Sequence, residues 1–399
     1  MSLTRKQKEY LMNCNHRWNV KIGATGSGKS FVDYSVVIPK RLLAAKGEGL
    51  LVLLGNTKGT LERNILDPMR EIWTPDLVGN ISSDNTVKLF GKKVYALGAD
   101  NKKHMDRIQG ATFEYVYGDE ITTWNEEVFQ MLKSRLRCKH SHFDGTCNPD
   151  SPLHWFKKFL DSKADIYQQK YVIDDGVLPA DVVANIKTEY AGTVYYDRYV
   201  LGNWAIANGL VYPFFADDQQ RYLYTGRIEG LTGAFYVSID YGTHNPCSMG
   251  LWCVGNSQAI RVKESYYDSR KELKQRTDEE HYAELERLAN GRYIQYVIVD
   301  PSAASFIETI RRHGKFQVLA ADNNVLNGIR TTAALMNAGK LLIHESCKDA
   351  IKEFQSYCWD DEAQEDKVIK ENDHAMDDIR YFANTILARE YRWADWKGV

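Results

Sequence analysis

The chain has 399 residues, 44% hydrophobic and 26% charged; this balance excludes disordered, collagen-like and low-complexity chains and leaves room for two domains or one large one. The formal net charge of −2 argues against a wholesale polybasic nucleic-acid binder, while a local basic groove stays compatible with it. No apolar run approaches the ~20 residues that span a bilayer, no signal-like apolar stretch opens the chain, and the seven cysteines include no C-x-x-C pair, which fits scattered reduced thiols better than disulfides or a zinc site.

Strand and helix signals alternate along the chain, the pattern of an α/β protein. An amphipathic segment at 6–12 leads into a short strand at 18–22, a Gly-rich turn and a helix over 30–45. The unbroken apolar run at 50–54 predicts a strand buried on both faces of a parallel sheet. Strand patterns continue at 87–97, 113–117 and 143–147. From 152 to 204 the pattern is helical and no further strand is expected. Residues 207–230 carry Gly, Pro and Asp-Gln runs without periodicity, the best place for a domain boundary. The order then restarts with a strand at 235–239, a hairpin of 248–254 and 259–265 across Gly255-Asn256, a helix at 277–290 and a strand at 293–299. A last helix is expected over 373–390.

Residues 23–30 read GATGSGKS, a full match to G-x-x-x-x-G-K-[ST] that follows an apolar strand and opens a helix. Gly23, Gly26, Ser27 and Gly28 let backbone amides wrap phosphates, Lys29 would reach the β- and γ-oxygens, and the Ser30 hydroxyl would ligate Mg²⁺. The partner of such a loop is a hydrophobic strand ending in acids, and FEYVYGDE at 113–120 fits. Asp119 would stand in the metal shell and Glu120 would polarise the attacking water. Nucleotide hydrolysis follows from these residues; its purpose does not.

A second constellation lies in the other half. Asp240 ends the strand at 235–239, Asp300 ends the strand at 293–299, and the last helix opens with Asp373, His374, Asp377 and Asp378. Spacings of three and four place His374, Asp377 and Asp378 on one helix face. Oxygens from separate elements can hold two Mg²⁺ or Mn²⁺ ions for phosphodiester cleavage, and acids at strand C-termini facing a helix carboxylate are a ribonuclease-H-like arrangement. Singly, each acid also fits a turn former or a helix cap.

Taken together these motifs resemble the large terminase subunit of tailed bacteriophages, the motor-nuclease that packages viral DNA. GTCNP at 145–149 followed by His154-Trp155 is similar to the family's coupling motif. YDRYVLGNW at 196–204, then GLVY at 209–212, resembles its stretch between motor and nuclease. Asp240 with Gly242 and Asn245-Pro246, Asp300-Pro301-Ser302, and Asp373-His374-Ala375-Met376-Asp377 with Arg380-Tyr381 resemble its three acidic motifs. The resemblance implies a P-loop ATPase at 1–205, with a parallel-sheet core and a small lid at about 152–205, then a linker at 206–232 and a ribonuclease-H-like endonuclease at 233–399. It implies ATP-driven movement of double-stranded DNA into a procapsid and two-metal cutting of concatemeric DNA at the start and end of packaging. The implied catalytic residues are Glu120, Asp240, Asp300 and Asp377, the nuclease metal ligands coming from Asp240, Asp300, His374, Asp377 and Asp378.

Thr146 and Asn148 would sense the γ-phosphate, and Gln7 would read the adenine. Relatives often carry an arginine in the phosphate loop; Ala24-Thr25 is uncharged here, so Arg107 is the expected finger from a neighbouring subunit, with Arg135 and Arg137 as alternatives. Implied partners are the portal protein, a small terminase subunit and a homo-oligomeric ring, expected to be a pentamer on the procapsid with a monomer in solution as the alternative. The implied location is the host cytoplasm and transiently the portal vertex, outside the mature virion and without a membrane. Basic clusters at 133–139 and 311–313 could meet DNA phosphates or be solvated faces. The rival readings are a remodelling ATPase whose second domain has lost nuclease activity and a docking scaffold ordered by nucleotide.

Overall fold

The alternating strands and helices build two separate sheets in the computed structural model, which describes residues 3–100, 110–255, 257–361, 363 and 365–388. Chain contacts divide it into two units, Met1–Ala184 with Tyr195–Ile206 and Asn185–Val194 with Ala207–Val399. Residues 185–194, part of the expected lid, thus group with the second unit, as does the segment expected as a linker.

In the first unit the strands are β1 (Trp18–Gly23), β2 (Leu50–Gly55), β3 (Thr86–Leu89), β4 (Lys92–Gly98), β5 (Phe113–Gly118), β6 (His142–Cys147) and β7 (Ile166–Tyr171). They lie in the order β3-β4-β2-β5-β6-β1-β7, parallel except for β3 against β4. β2 shows why an unbroken apolar run is needed at the centre: Val52 and Leu54 pack into one core while Leu51 and Leu53 pack into another on the opposite face.

Two expectations need correcting. The strand expected over 87–97 is a hairpin, because Phe90 and Gly91 turn with φ of 49° and 79°. The stretch expected to be helical throughout contains β7, which extends the sheet beside β1. Its sequence, IYQQKY, is polar because it forms the sheet edge, burying Gln169 and Tyr171 and exposing Gln168 and Lys170.

The loop after β1 enters a helix that begins at Lys29–Val32, passes through a π-helical stretch at Asp33–Val37 and continues over Ile38–Ala44. Beneath the loop, Lys21 of β1 and Asp33 of the helix form a fully buried ion pair at 2.6 Å. The Tyr117 hydroxyl donates to Asp33 at 3.2 Å, and the Lys21 ammonium lies 3.8 Å from the centroid of the Tyr10 ring. Burial pushes the Asp33 carboxyl up to about 7, against the opposing pull of Lys21.

The second unit has β8 (Leu223–Tyr224), β9 (Ala234–Asp240), β10 (Cys247–Val254), β11 (Ala259–Tyr267), β12 (Ile294–Val299), β13 (Val318–Ala320) and β14 (Leu341–His344), in the order β13-β12-β9-β10-β11-β14-β8. β9, β10 and β11 form an antiparallel meander, and the remaining pairs are parallel. The hairpin across Gly255 is present; Asn256 lies outside the described residues. The closing helix, His374–Phe382, continues π-helically over Ala383–Leu387 and lies on the sheet.

A second buried ion pair ties that helix down. Asp378 accepts from both terminal nitrogens of Arg261 on β11, one of them at 3.0 Å, and from the hydroxyls of Ser238 at 2.8 Å and Ser248. The guanidinium needs Gly250 beneath it, since a Cβ there would stand 2.0 Å from its Nη1. Asp378→Ala leaves the buried Arg261 with only Glu264, 3.6 Å away, as an acidic partner and is expected to lower stability by about 3 kcal/mol, much of it regained in the double variant Arg261→Met/Asp378→Leu. Urea unfolding of the full chain reads both effects.

Candidate active sites

The C-terminal ends of the parallel strands carry the first site. Gly23 ends β1 with φ of 148°, and a Cβ there would fall 1.9 Å from the carbonyl oxygen of Tyr171 on β7. Gly26 and Gly28 sit at φ of 67° and 79°, a left-handed backbone that lets the loop curl before the helix. Inside that curl the Lys29 ammonium donates to the carbonyls of Gly23 (2.9 Å) and Ala24 (2.6 Å) and to Asn148 Oδ1 (3.0 Å). Burial lowers its pKa to about 8. Ser27 Oγ closes the turn on the Ala24 carbonyl at 2.7 Å, and Ser30 lines the cavity that the loop borders.

Asp119 follows β5 directly and is buried. Thr146 Oγ1 donates to its Oδ1 at 3.0 Å and Asn64 Nδ2 to its Oδ2 at 3.2 Å. Burial raises its pKa against those hydrogen bonds. Glu120 adopts φ 52°, ψ 49°, a strained backbone for a non-glycine residue and one that functional sites retain. Thr122 Oγ1 donates to the Asn148 carbonyl at 3.0 Å, so Asn148 is held from one side by Thr122 and from the other by Lys29, beside the separate pairing of Thr146 and Asn64 on Asp119. Gln7 reaches the loop by donating to the Gly28 carbonyl at 2.9 Å. Asn64 was missed in the sequence because a lone Asn in a helix belongs to no recognisable motif. Arg107 lies outside the described residues.

The second site lies at the strand ends of the other sheet. Ile239 of β9 pairs in parallel with Val299 of β12, so Asp240 and Asp300, next along each strand, stand side by side at about the 5 Å strand spacing. His374 Nδ1 donates to Asp240 Oδ2 at 2.8 Å and the Tyr381 hydroxyl to Oδ1 at 3.4 Å. Burial, together with the nearby charge of Asp377 and against the hydrogen bond from His374, pushes Asp240 up to about 6. Burial opposes protonation of His374, but its bond to Asp240 raises it above its ordinary value. Asp300 is likewise opposed by burial yet held low by hydrogen bonds from Ser302, Asn323 and Tyr381.

Asp377 accepts from Arg380 Nη2 at 2.8 Å and from Lys370 Nζ at 3.1 Å, and Lys370 also reaches Asp373 at 3.1 Å. Asp240, Asp268, Arg270, Lys370, Asp373, His374 and Asp377 line one cavity. Asp378, a candidate ligand by spacing, is buried against the sheet and does not line this cavity, its oxygens taken by Arg261 and two serines. Among the described residues no three His, Cys, Asp or Glu side chains stand ready-grouped to hold a metal ion; each acid is engaged by a protein partner. The basic run 311–313 is internally paired, Arg312 with Glu308 and His313 with Glu279, and His313 stacks on Tyr282.

Residues 22–216 match the family described as terminase large subunit, T4likevirus-type, N-terminal, and residues 237–385 match the terminase RNaseH-like domain. The chain belongs to the large terminase family. The large terminase of a thermophilic bacteriophage is 33% identical and superposes with a TM-score of 0.85 over 97% of this chain and 100% of that one. The same phage protein in complex with ATP-gamma-S superposes at 0.83, also over 97% and 100%. The terminase large subunit of Escherichia phage T5 is 26% identical over 152 residues, 36% of this chain and 34% of that protein, so this match spans about a third of that relative's length.

The helix that carries the terminase's third acidic motif starts without a side-chain cap of its own. Glu353 supplies one, accepting from the amides of Ala375 (2.7 Å) and Met376 (3.2 Å) and from the Tyr266 hydroxyl (2.8 Å). Burial, opposed by these bonds, pushes Glu353 from an ordinary 4.5 up to about 7. The folded state therefore holds this proton more tightly than the unfolded chain, and stability falls as pH rises between those values. Glu353→Gln removes that dependence, and its stability relative to the parent is expected to grow by about 1–3 kcal/mol from pH 5 to pH 8, read by urea unfolding at each pH.

Proposed function

We propose that the chain is the ATP-hydrolysing motor and DNA-cutting subunit of a phage packaging machine. The observation that carries this reading is the pairing of Lys29 with Asn148 and of Asp119 with Thr146 behind the glycine loop in one unit, with Asp240 and Asp300 side by side in the other. The ATP-gamma-S complex of the thermophilic phage protein supports nucleotide binding at the glycine loop.

At the motor site the loop amides and Lys29 hold the β- and γ-phosphates, Ser30 and Asp119 hold the Mg²⁺ that accompanies ATP, and Gln7 lies where adenine would be read. Glu120 takes the proton of the attacking water. Thr146 bonds the metal-side acid and Asn148 the phosphate-side lysine, so loss of the γ-phosphate would alter the hydrogen bonds of both. That change would be passed to the segment after β6 as a lid movement that drives double-stranded DNA.

At the nuclease site Asp240, Asp300 and Asp377, with His374 beside them, supply hard oxygen and imidazole donors that suit Mg²⁺ or Mn²⁺. Two such ions would supply Lewis-acid charge at the attacking and leaving oxygens of the phosphodiester. Binding them requires Lys370 and His374 to yield the carboxylates they now hold. Asp378 is left out of this ligand set. The proposal includes a motor at 1–205, a linker at 206–232 and a nuclease at 233–399, with a ring of subunits, a portal protein and a small terminase as partners in the host cytoplasm.

Asp300→Ala is expected to abolish linearisation of plasmid by the full chain with Mn²⁺ while leaving ATP turnover within about twofold, and Glu120→Gln to lower turnover by about 10²–10⁴-fold with DNA cutting retained. Plasmid still linearised by Asp300→Ala would overturn the nuclease assignment. Lys29 must be protonated to meet phosphate, so affinity for a fluorescent ATP analogue should be flat below pH 8 and fall by up to about tenfold per unit above it. Lys29→Arg is expected to remove that fall.

A further inference from the structure

We propose that the helix after β2, residues 58–73, is a brace that sets where Asp119 stands relative to Ser30, with Asn64 its positioning residue for Mg²⁺. This rests on the motor reading above, in which those two residues hold the Mg²⁺ that accompanies ATP. The helix touches both sides of the site. Asn64 Nδ2 donates to Asp119 Oδ2 at 3.2 Å, and at the far end the Trp73 indole donates to the Tyr34 carbonyl at 3.2 Å. Tyr34 belongs to the helix that Lys29 and Ser30 open.

Helix stability gives little reason for the residues found here. Asparagine is a poor former in a helix interior, and Pro68 has no N–H to give the carbonyl four residues earlier, that of Asn64. The chain meets the proline by widening. It is regular over Lys58–Leu61, π-helical over Glu62–Leu66, where the Asp67 amide bonds the Glu62 carbonyl, and regular again over Asp67–Trp73. The glycine loop's helix does the same, with its π-helical stretch over Asp33–Val37 before Pro39. One inserted residue turns all that follows by about 100°, and single π turns collect at functional sites. Asn64 and Ser35 are the middle residues of the two stretches, and both line the cavity that Lys29 and Ser30 border.

The strand ends hold this helix close to the acid. The Asp119 amide donates to the Leu54 carbonyl at 2.8 Å, so Asp119 sits beside the end of β2. Gly55 follows, and a Cβ there would stand 3.0 Å from that of Leu61 and 3.2 Å from the Thr57 carbonyl oxygen; glycine lets the helix come this near. Asp119 is buried, and each of its oxygens receives a protein donor, Thr146 on Oδ1 and Asn64 on Oδ2. A carboxylate held at both oxygens cannot swing, yet each oxygen keeps a lone pair for the metal or its water. The Thr146 bond fixes the acid to the neighbouring strand. The Asn64 bond fixes it to the element that reaches the glycine loop's helix.

The test measures the affinity of the full chain for a fluorescent ATP analogue in EDTA and again in saturating Mg²⁺. The parent should bind more tightly with Mg²⁺. Asn64→Leu is expected to keep its EDTA affinity within about twofold and to lose about tenfold of the Mg²⁺ gain, the usual cost of removing a group that orients a metal ligand. Asn64→Gln keeps the amide donor and should come back to within about threefold of the parent. Trp73→Phe, which removes the donor at the far end, should lose about threefold of the Mg²⁺ gain with EDTA affinity unchanged. An undiminished Mg²⁺ gain in Asn64→Leu, or equal losses in EDTA and Mg²⁺, overturns the brace; should Asn64→Leu fail to fold, the same outcomes in Trp73→Phe decide. A parent that binds the analogue equally with and without Mg²⁺ also overturns it. A parent that does not bind the analogue at all overturns the motor reading instead.

Discussion

A charge taken out of water must meet its opposite, and in each unit one such pair fixes the element on which a site is mounted. Lys21 and Asp33 bracket the glycine loop, one on the strand before it and one on the helix after it, and both are fully buried. Their contact sets the mouth of the loop from below, leaving its amides and Lys29 free to be arranged by the turn alone. Arg261 and Asp378 do the same for the closing helix: with Asp378 held against the sheet, His374, four residues earlier on the same face, is brought to Asp240. Neither pair is a cheap source of stability. Each supplies a register, and a helix slipped by one residue would lose its buried partner.

Both sites use the same edge of their sheets. Parallel strands leave their C-terminal ends open to loops, and the chemistry-bearing residues collect there: Gly23, Asp119 and Thr146 in one unit, Asp240 and Asp300 in the other. The environments then diverge. In the first, Thr146 and Asn64 converge on Asp119 while the loop carbonyls and Asn148 converge on Lys29. In the second, each acid is met by its own partner, His374, Lys370 or Arg380.

Local pattern made much of this legible. The glycine loop could be read because its backbone needs glycine at φ of 67° and 79° and its function needs Lys and Ser at fixed offsets. The apolar run of β2 could be read because a strand buried on both faces has no room for polar residues. β7 could not, because an edge strand keeps half its side chains in water and IYQQKY carries no strand signature. Asn64 and Glu353 were equally silent: each acts on a residue far away in the chain, and a single polar residue in a helix has no spacing to betray it.

The sequence by itself determined the family and the α/β class and nominated most residues of the two candidate sites, since these rest on short motifs whose offsets are dictated by backbone geometry. Tertiary structure decided which of those residues work together. His374, Asp377 and Asp378 share one helix and looked interchangeable by spacing, yet only burial shows that Asp378 is spent on Arg261 while the other two face the cavity. The helix that joins Asp119 to the glycine loop's helix is likewise invisible in sequence, because its two contacts link residues far apart in the chain. Motifs record what must be near in the chain. The pairing of buried charges and the placement of loops depend on what folding brings near in space.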